Sequence, residues 1–460
     1  MTRFANRYAG QRMLIVGLGA SGASALRYLV REGADVVVTD SRAKPPGIDA
    51  LRAQFPQVQF YLGAFAAPSS LAQFHEAIIS PGVSLDEPFV RQLADAGVSL
   101  IGDIELFVRA VQESSKGDSK CGSEKPAIVA ITGSNGKSTV TTLVGDMARA
   151  AGRKVAVGGN LGATALDLLS DDVDLYVLEL SSFQLETTHS MRCTAAAYLN
   201  LSEDHLDRHG DMANYGRIKS RIYAFAGTAV FNRDDGATQQ GIDRASTRIS
   251  FGLHADAAAY CLRHIGDEVW LCKGDEGVCP RSVLKLPGQH NLVNALAALA
   301  LAEAVGIDRE ACVQALSAFT GLPHRCEFVA QRKGVTWLND SKGTNVGSSL
   351  AALNGLDGQI VWLGGGQGKG QDFRPLRAPL ARKGRAALLF GEDASAIEHA
   401  LLGAVPIFRR QNMLEALSTA QTLAREGDTV LLSPACASLD QFSNYIERGE
   451  TFRAWVEAQA

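Results

Sequence analysis

One stretch constrains this chain more than any other: Ala127-Ile-Val-Ala-Ile-Thr-Gly-Ser-Asn-Gly-Lys-Ser-Thr139. A run of apolar residues predicts a strand, and Ser138 to Ala151 carries a helical pattern, so the glycines between them form a strand-to-helix turn. Such a turn aims backbone N–H groups, at the positive end of the helix, towards an anion. Gly133, Ser134, Asn135, Gly136, Lys137, Ser138 and Thr139 are therefore candidate phosphate contacts. Lys137 is placed to reach the outer phosphates and Ser138 to ligate Mg²⁺. The common spacing G-x-x-x-x-G-K-S would want glycine at position 131, where this chain has Ile131. Asp174 to Glu179 reads as a second apolar strand, ending in an acid that makes Glu179 a Mg²⁺ candidate, although many strands end in an acid.

A parallel sheet needs several such units, and the alternation extends in both directions. Strands are predicted at Met13 to Gly17, Asp35 to Asp40, Glu76 to Ser80 and Val98 to Ile101, with helices over Ala20 to Arg31 and Phe89 to Ala96. Beyond the central region, strands are predicted at 335–338, 359–363, 386–390 and 429–432, and a last helix from about Gln441 to Ala458. Residues 113–126, ESSKGDSKCGSEKP, read as a linker. With 460 residues, and roughly 150 per domain, about three domains fit. The expected fold is three consecutive α/β domains: N-terminal Rossmann-like (1–112), central P-loop NTPase-like (113–321) and C-terminal Rossmann-like (322–460).

Composition narrows the class. Hydrophobic residues make up 46% and charged residues 20%, which excludes a disordered chain. A net charge of -4 without a long basic run offers no footprint for nucleic acid. Eight scattered cysteines form no Cys-x-x-Cys pair and read as reduced, mostly buried thiols. The polar first ten residues, and the lack of an apolar run of roughly 20, lead us to expect a cytoplasmic protein with no membrane association.

Three further motifs carry chemistry. Gly17-Leu-Gly-Ala-Ser-Gly22 fits G-x-G-x-x-G, with Asp40 ending the next strand. It suits an NAD site, the diphosphate of another nucleotide, or simply tight packing of helix on strand. The cluster Asn200 to His209 gathers carboxylates and imidazoles, either for metal or substrate contact or as a solvated polar loop. Lys219, on the amphipathic stretch Tyr215 to Phe225, reads as an exposed helix lysine. Lys342 and Lys369 lie in loops at the carboxyl ends of predicted strands, where open α/β sheets bind ligands, and favour an anion.

Taken in order, GLGASG, SPG at Ser80 to Gly82, GDIELF, ITGSNGKSTVTTLVG, VGGNLG, LYVLELSSFQLE, EDHLDR, GQHNLVNALAALALA, GLPHR, NDSKGTNVGSS and LLSPACASLDQF resemble the Mur ligases over nearly the whole chain. The resemblance implies an ATP-dependent amide ligase of peptidoglycan synthesis, a monomer using two Mg²⁺ ions, that adds D-glutamate to UDP-N-acetylmuramoyl-L-alanine through an acyl phosphate. It further implies catalytic roles for Lys137, His205 and Lys219, the last matching a carbamylated lysine, and Mg²⁺ ligation by Ser138, Glu179, His205 and the modified Lys219. Asn291, Asn294, Arg325, Asp340 and Lys342 would complete the ATP contacts. Ala20, Ser21, Asp40, Ser41, Arg42, Ser80, Pro81, Gly82, Asn160, Ser181 and Gln184 would hold the UDP substrate, which removes NAD. Thr344, Lys369, Ser438, Leu439 and Tyr445 would hold glutamate, Tyr445 standing where the family commonly has Phe.

Rival readings are another Mur-type ligase with a different amino acid, a nucleotide switch, and a nucleotide-sugar dehydrogenase built on GLGASG. The switch would want Asn-Lys-x-Asp, which is absent.

Overall fold

The computed structural model describes residues 6–67, 70–113, 125–224, 226–254, 259–286 and 288–459. Most of the linker at 113–126 lies outside them. The first sheet contains β1 (Arg12–Val16), β2 (Asp35–Asp40), β3 (Gln59–Leu62), β4 (Glu76–Ile79) and β5 (Ser99–Ile101) in the order β3-β2-β1-β4-β5. All its pairings are parallel. Around it run α1 (Ala20–Arg31), α2 (Ile48–Gln54), α3 (Pro88–Asp95) and α4 (Asp103–Glu113).

The central sheet has nine strands: β6 (Ala127–Thr132), β7 (Val155–Gly159), β8 (Leu175–Glu179), β9 (Ala195–Tyr198), β10 (Thr228–Asn232), β11 (Thr247–Phe251), β12 (Tyr260–Ile265), β13 (Glu268–Lys273) and β14 (Glu276–Pro280). Six helices accompany it: α5 (Lys137–Ala150), α6 (Ser182–Glu186), α7 (Leu206–His209), α8 (Met212–Ser220), α9 (Gln289–Ala304) and α10 (Arg309–Ala318). The order is β14-β13-β12-β11-β10-β9-β6-β8-β7, so β6 lies between β9 and β8. A strand flanked on both sides and covered by helices must be apolar throughout, which is why Ile128 to Ile131 are all buried. β12, β13 and β14 form an antiparallel extension that simple alternation does not anticipate.

The third sheet, β15 (Glu327–Arg332), β16 (Val335–Asn339), β17 (Ile360–Gly365), β18 (Gly384–Phe390), β19 (Ile407–Arg409) and β20 (Thr429–Leu432), has the order β15-β16-β20-β17-β18-β19 and is parallel apart from β15. Its helices are α11 (Val346–Gly355), α12 (Arg377–Lys383), α13 (Ala394–Leu401), α14 (Met413–Leu423) and α15 (Tyr445–Ala458). The last starts four residues later than the predicted 441, because Asn444 ends the preceding turn by accepting from the N–H groups of Ile446 and Glu447.

The lobes are joined unequally. One apolar cluster runs without a break from Ile15, Leu26 and Phe107 to Ala130, Tyr176 and Leu178, so the first two sheets share a core. Phe107 meets Tyr176 edge-on at 5.0 Å. The third sheet packs its own clusters on either face, from Leu338 to Cys436 and from Val335 to Val456.

Candidate active site

The strand-to-helix turn after β6 has the expected shape. Gly136 sits at φ +81°, and a Cβ there would come within 2.3 Å of Asn294 Oδ1, so only glycine fits between the loop and α9. Lys137 opens α5, and its Nζ donates to the carbonyls of Gly133 (2.8 Å) and Ser134 (2.9 Å). Ser134 and Asn135 are held by the loop after β9: Asn200 Oδ1 accepts from Asn135 N at 2.8 Å, and Ser134 Oγ accepts from Ser202 N at 2.9 Å.

Glu179, at the end of β8, is buried beside this loop. Ser138 Oγ donates to its Oε2 at 2.5 Å, and Asn160 Nδ2 donates to its Oε1 at 2.8 Å. Burial alone would push the carboxyl up, but Lys137, Ser138, Arg325 and Asn160 together hold it below the usual carboxylate range. A hydroxyl and an ionised carboxylate side by side are hard oxygen donors, the chemistry Mg²⁺ prefers when phosphates and water complete its shell. Among the described residues no three His, Cys, Asp or Glu side chains gather into a metal cluster. An ion bound here would draw its remaining ligands from elsewhere.

Lys219 corrects the sequence reading. It is 1% exposed and is no surface helix lysine: α8 turns it inward, over the Tyr215 ring at 4.6 Å, and its Nζ donates to Gly133 O at 2.8 Å. Periodicity misses this because the face that α8 buries mixes Tyr215 and Ile218 with Gly216, Lys219 and Ser220, so no apolar pattern marks the lysine as internal. Two ammonium groups thus share one carbonyl. Burial first, and then Lys137, pull the Lys219 amine well below its ordinary range, towards the neutral nucleophile.

The Asn200 to His209 cluster is not a fully solvated loop: Asp204 and His209 are buried, while Asp207 is exposed. Asp204 is 6% exposed and accepts from Asn345 Nδ2 (3.1 Å) and Lys369 Nζ (3.2 Å). His205 has a left-handed backbone, φ +55°, and burial pulls its imidazole down to about 4, leaving a neutral nitrogen able to bind a metal. Asp204 and Asn345 were not among the candidates. The acid was visible in the motif, but nothing local marked its partner 141 residues away.

The third lobe reaches the same loop. Arg325 Nη2 donates to Ser138 Oγ at 2.6 Å, while Ser348 Oγ donates to Asn135 Oδ1 at 2.5 Å. Between the lobes lies a cavity of about 200 Å³ lined by Gly136, Asn291, Asn294, Arg325, Asp340 and Lys342. The Lys342 ammonium lies 3.9 Å from the centre of the Tyr445 ring, and burial pulls it down to about 8. Asp340, gripped by Ser433 Oγ at 2.6 Å, is pushed up to about 6 by burial. Thr344 follows Lys342, and Ser438 is buried, whereas Leu439 is 65% exposed.

The N-terminal candidates line a separate rim. Gly22 closes tight packing, since a Cβ there would come within 2.0 Å of Gly17 O. Asp40 spends both oxygens on protein: Oδ2 accepts from Leu18 N at 2.6 Å, and Oδ1 from Arg42 N at 2.8 Å. Ala20 and Ser21 open α1, Ser41 and Arg42 follow β2, and Ser80 to Gly82 follow β4. Ser181 caps α6 in a reciprocal pair with Gln184. These groups and Asn160 stand at the carboxyl ends of two neighbouring sheets, apart from the Arg325 cavity.

A phosphate loop with an acid at the next strand, entered by basic groups from another lobe, defines a nucleotide-dependent phosphoryl-transfer enzyme. The chain belongs to the Mur ligase family. Family models match residues 11–102 (Mur ligase MurD-like, N-terminal domain), 131–302 (Mur ligase middle domain) and 324–436 (Mur ligase, glutamate ligase domain). It is 50% identical over 452 residues to the UDP-N-acetylmuramoylalanine--D-glutamate ligase of Pseudomonas aeruginosa, covering 97% of this chain and 98% of that one. The enzyme of the same name from Methylobacillus flagellatus is 48% identical, covering 96% of each. Among solved structures, MurF from Acinetobacter baumannii matches with TM-score 0.62 at 18% identity, over 98% of this chain and 91% of that one. A pseudomurein peptide ligase type C from Methanothermus fervidus matches with TM-score 0.61 at 16% identity, over 98% and 100%. No helix among the described residues is long and apolar enough to cross a membrane.

Proposed function

We infer that this protein is an ATP-dependent ligase that joins D-glutamate to UDP-N-acetylmuramoyl-L-alanine, releasing ADP and phosphate. Identity near 50% over almost the full length to ligases of that name carries the reading. In the reaction the substrate carboxylate attacks the γ-phosphate, and the amine of glutamate then displaces phosphate from the acyl phosphate. Phosphoryl transfer needs positioning and charge neutralisation more than covalent help.

In our reading Lys137 leaves the Gly133 and Ser134 carbonyls for the outer phosphates, and Arg325 completes the cationic wall. The Arg325 cavity takes the adenosine end, with Asn291, Asn294, Asp340 and Lys342. Ser138 and Glu179 would hold Mg²⁺, which when bound neutralises phosphate charge. With its ammonium form disfavoured by burial, the Lys219 amine is chemically suited to take up CO₂, and the carbamate so formed would stand with His205 as oxygen and nitrogen ligands for a second ion. The rims around Ser21, Arg42, Ser80 and Gln184 would take the UDP substrate. Thr344, Lys369, Ser438, Leu439 and Tyr445 would surround glutamate, Tyr445 supplying an aromatic face.

Phosphate release tests the reading. It is expected only when UDP-N-acetylmuramoyl-L-alanine and D-glutamate are both present, with mass spectrometry showing one added glutamyl residue. Turnover that needs neither, or addition of another amino acid in place of glutamate, overturns it.

A further inference from the structure

Behind α8, on the side away from the phosphate loop, lies a second cavity of about 440 Å³. Arg217, Arg221 and Arg244 line it together with His189, and no Asp or Glu does. Among the described residues, none of the three guanidinium groups has a carboxylate within ion-pairing distance. Arg217 Nη2 donates to the Asn214 amide oxygen at 2.7 Å, and Arg221 Nη2 to Thr188 O at 2.9 Å. Nearby acids are committed elsewhere: Glu186 to Arg208 at 2.7 Å, and Asp243 to Arg248 at 3.0 Å. The cations feel one another, since burial, then Arg217, and more weakly Arg244 pull Arg221 below the usual guanidinium range, while Glu186 opposes them.

Like charges brought together around a concave space without a counterion favour an anion in that space. Guanidinium forks select planar or tetrahedral oxyanions, phosphate above all. The remaining wall is mixed: Leu185, Met191 and Ala224 supply an apolar patch, and Thr188, Ser220 and Gln240 polar groups beside it. An oxyanion with a hydrocarbon portion would cover the cations and the apolar patch at once, whereas a bare ion would leave that patch wet.

We propose that this cavity is a second small-molecule site, distinct from the nucleotide and substrate sites, that binds a phosphate monoester: phosphate on Arg217, Arg221 and Arg244, carbon skeleton on Leu185 and Met191. It lies on the helix that carries Lys219, so its ligand contacts the back of an element whose front faces the reaction.

Titration calorimetry on the full chain tests this, with a non-hydrolysable ATP analogue, Mg²⁺ and UDP saturating the other sites. Phenyl phosphate is the probe and inorganic phosphate the comparison. Phenyl phosphate is expected to bind once per chain, more tightly than inorganic phosphate, and about tenfold more weakly in Arg221→Gln/Arg244→Gln. Arg244→Gln alone, at an exposed position, guards against misfolding of the double variant and is expected to weaken binding by about threefold with ATP KM unchanged. No binding to wild type, unchanged affinity in both variants, or equal affinity for the two probes overturns the proposal.

Discussion

Arg325 and Ser138 are 187 residues apart in sequence, yet the guanidinium of one donates to the hydroxyl of the other at 2.6 Å. The same hydroxyl donates to Glu179 at 2.5 Å, so a single oxygen joins two lobes and the acid that ends β8. Arg325→Ala is expected to raise the KM for ATP and to lower kcat/KM by about 100-fold, a charge-assisted contact to phosphate being worth about 3 kcal/mol. Steady-state kinetics check this. A change below twofold would remove Arg325 from the nucleotide site.

Glu179→Gln keeps the shape of the side chain and removes its charge. Mg²⁺ titrations of activity are expected to shift to higher concentration by tenfold or more, with kcat down by about 100-fold. An unshifted Mg²⁺ profile would place the ion elsewhere.

Lys219→Ala removes the amine that shares the Gly133 carbonyl with Lys137. Near-complete loss of activity is expected, with partial recovery in formate or acetate, whose carboxylate stands in for that of a carbamate. Full activity without rescue would end the carbamate proposal.

Gly136→Ala forces a side chain into φ +81° and against Asn294. A loss of about 1–3 kcal/mol in stability is expected, together with at least tenfold weaker nucleotide binding. Denaturant unfolding and calorimetry measure the two effects separately.

The buried Asp340 gives a pH signature. Its carboxyl is raised from 3.8 to about 6, so folding opposes its ionisation. The cost is absent below the unfolded value, grows as pH rises from about 4 to 6, and persists above, reaching about 3 kcal/mol at most. Asp340→Asn is therefore expected to gain stability relative to wild type as pH rises through that window. Parallel thermal unfolding at pH 4 and pH 8 checks it, and a constant difference would count against the buried charge.

Much of the site was legible because local chemistry announces it. Gly133 to Ser138 needs only its own strand and helix, and Glu179 only its strand end. Lys219 was misread because its burial comes from Tyr215 and Gly133, partners no periodicity reveals. Asp204 and Asn345 meet only in the folded chain. The antiparallel strands β12 to β14 escaped because short strands of mixed polarity at a sheet edge lack the continuous apolar run of a buried parallel strand.

The uneven joining of the lobes has a mechanical result. Between the first two sheets one apolar cluster is continuous, from Ile15 to Tyr176, and separating them would wet a large apolar area. The third touches the phosphate loop through Arg325, Asn345 and Ser348, and Asp204 in the loop after β9 through Lys369, groups that water can satisfy when the contact breaks. Were the molecule to open, the third lobe is the part that could leave at least cost, a jaw against a two-sheet anvil, and the cavity beside the phosphate loop would open with it.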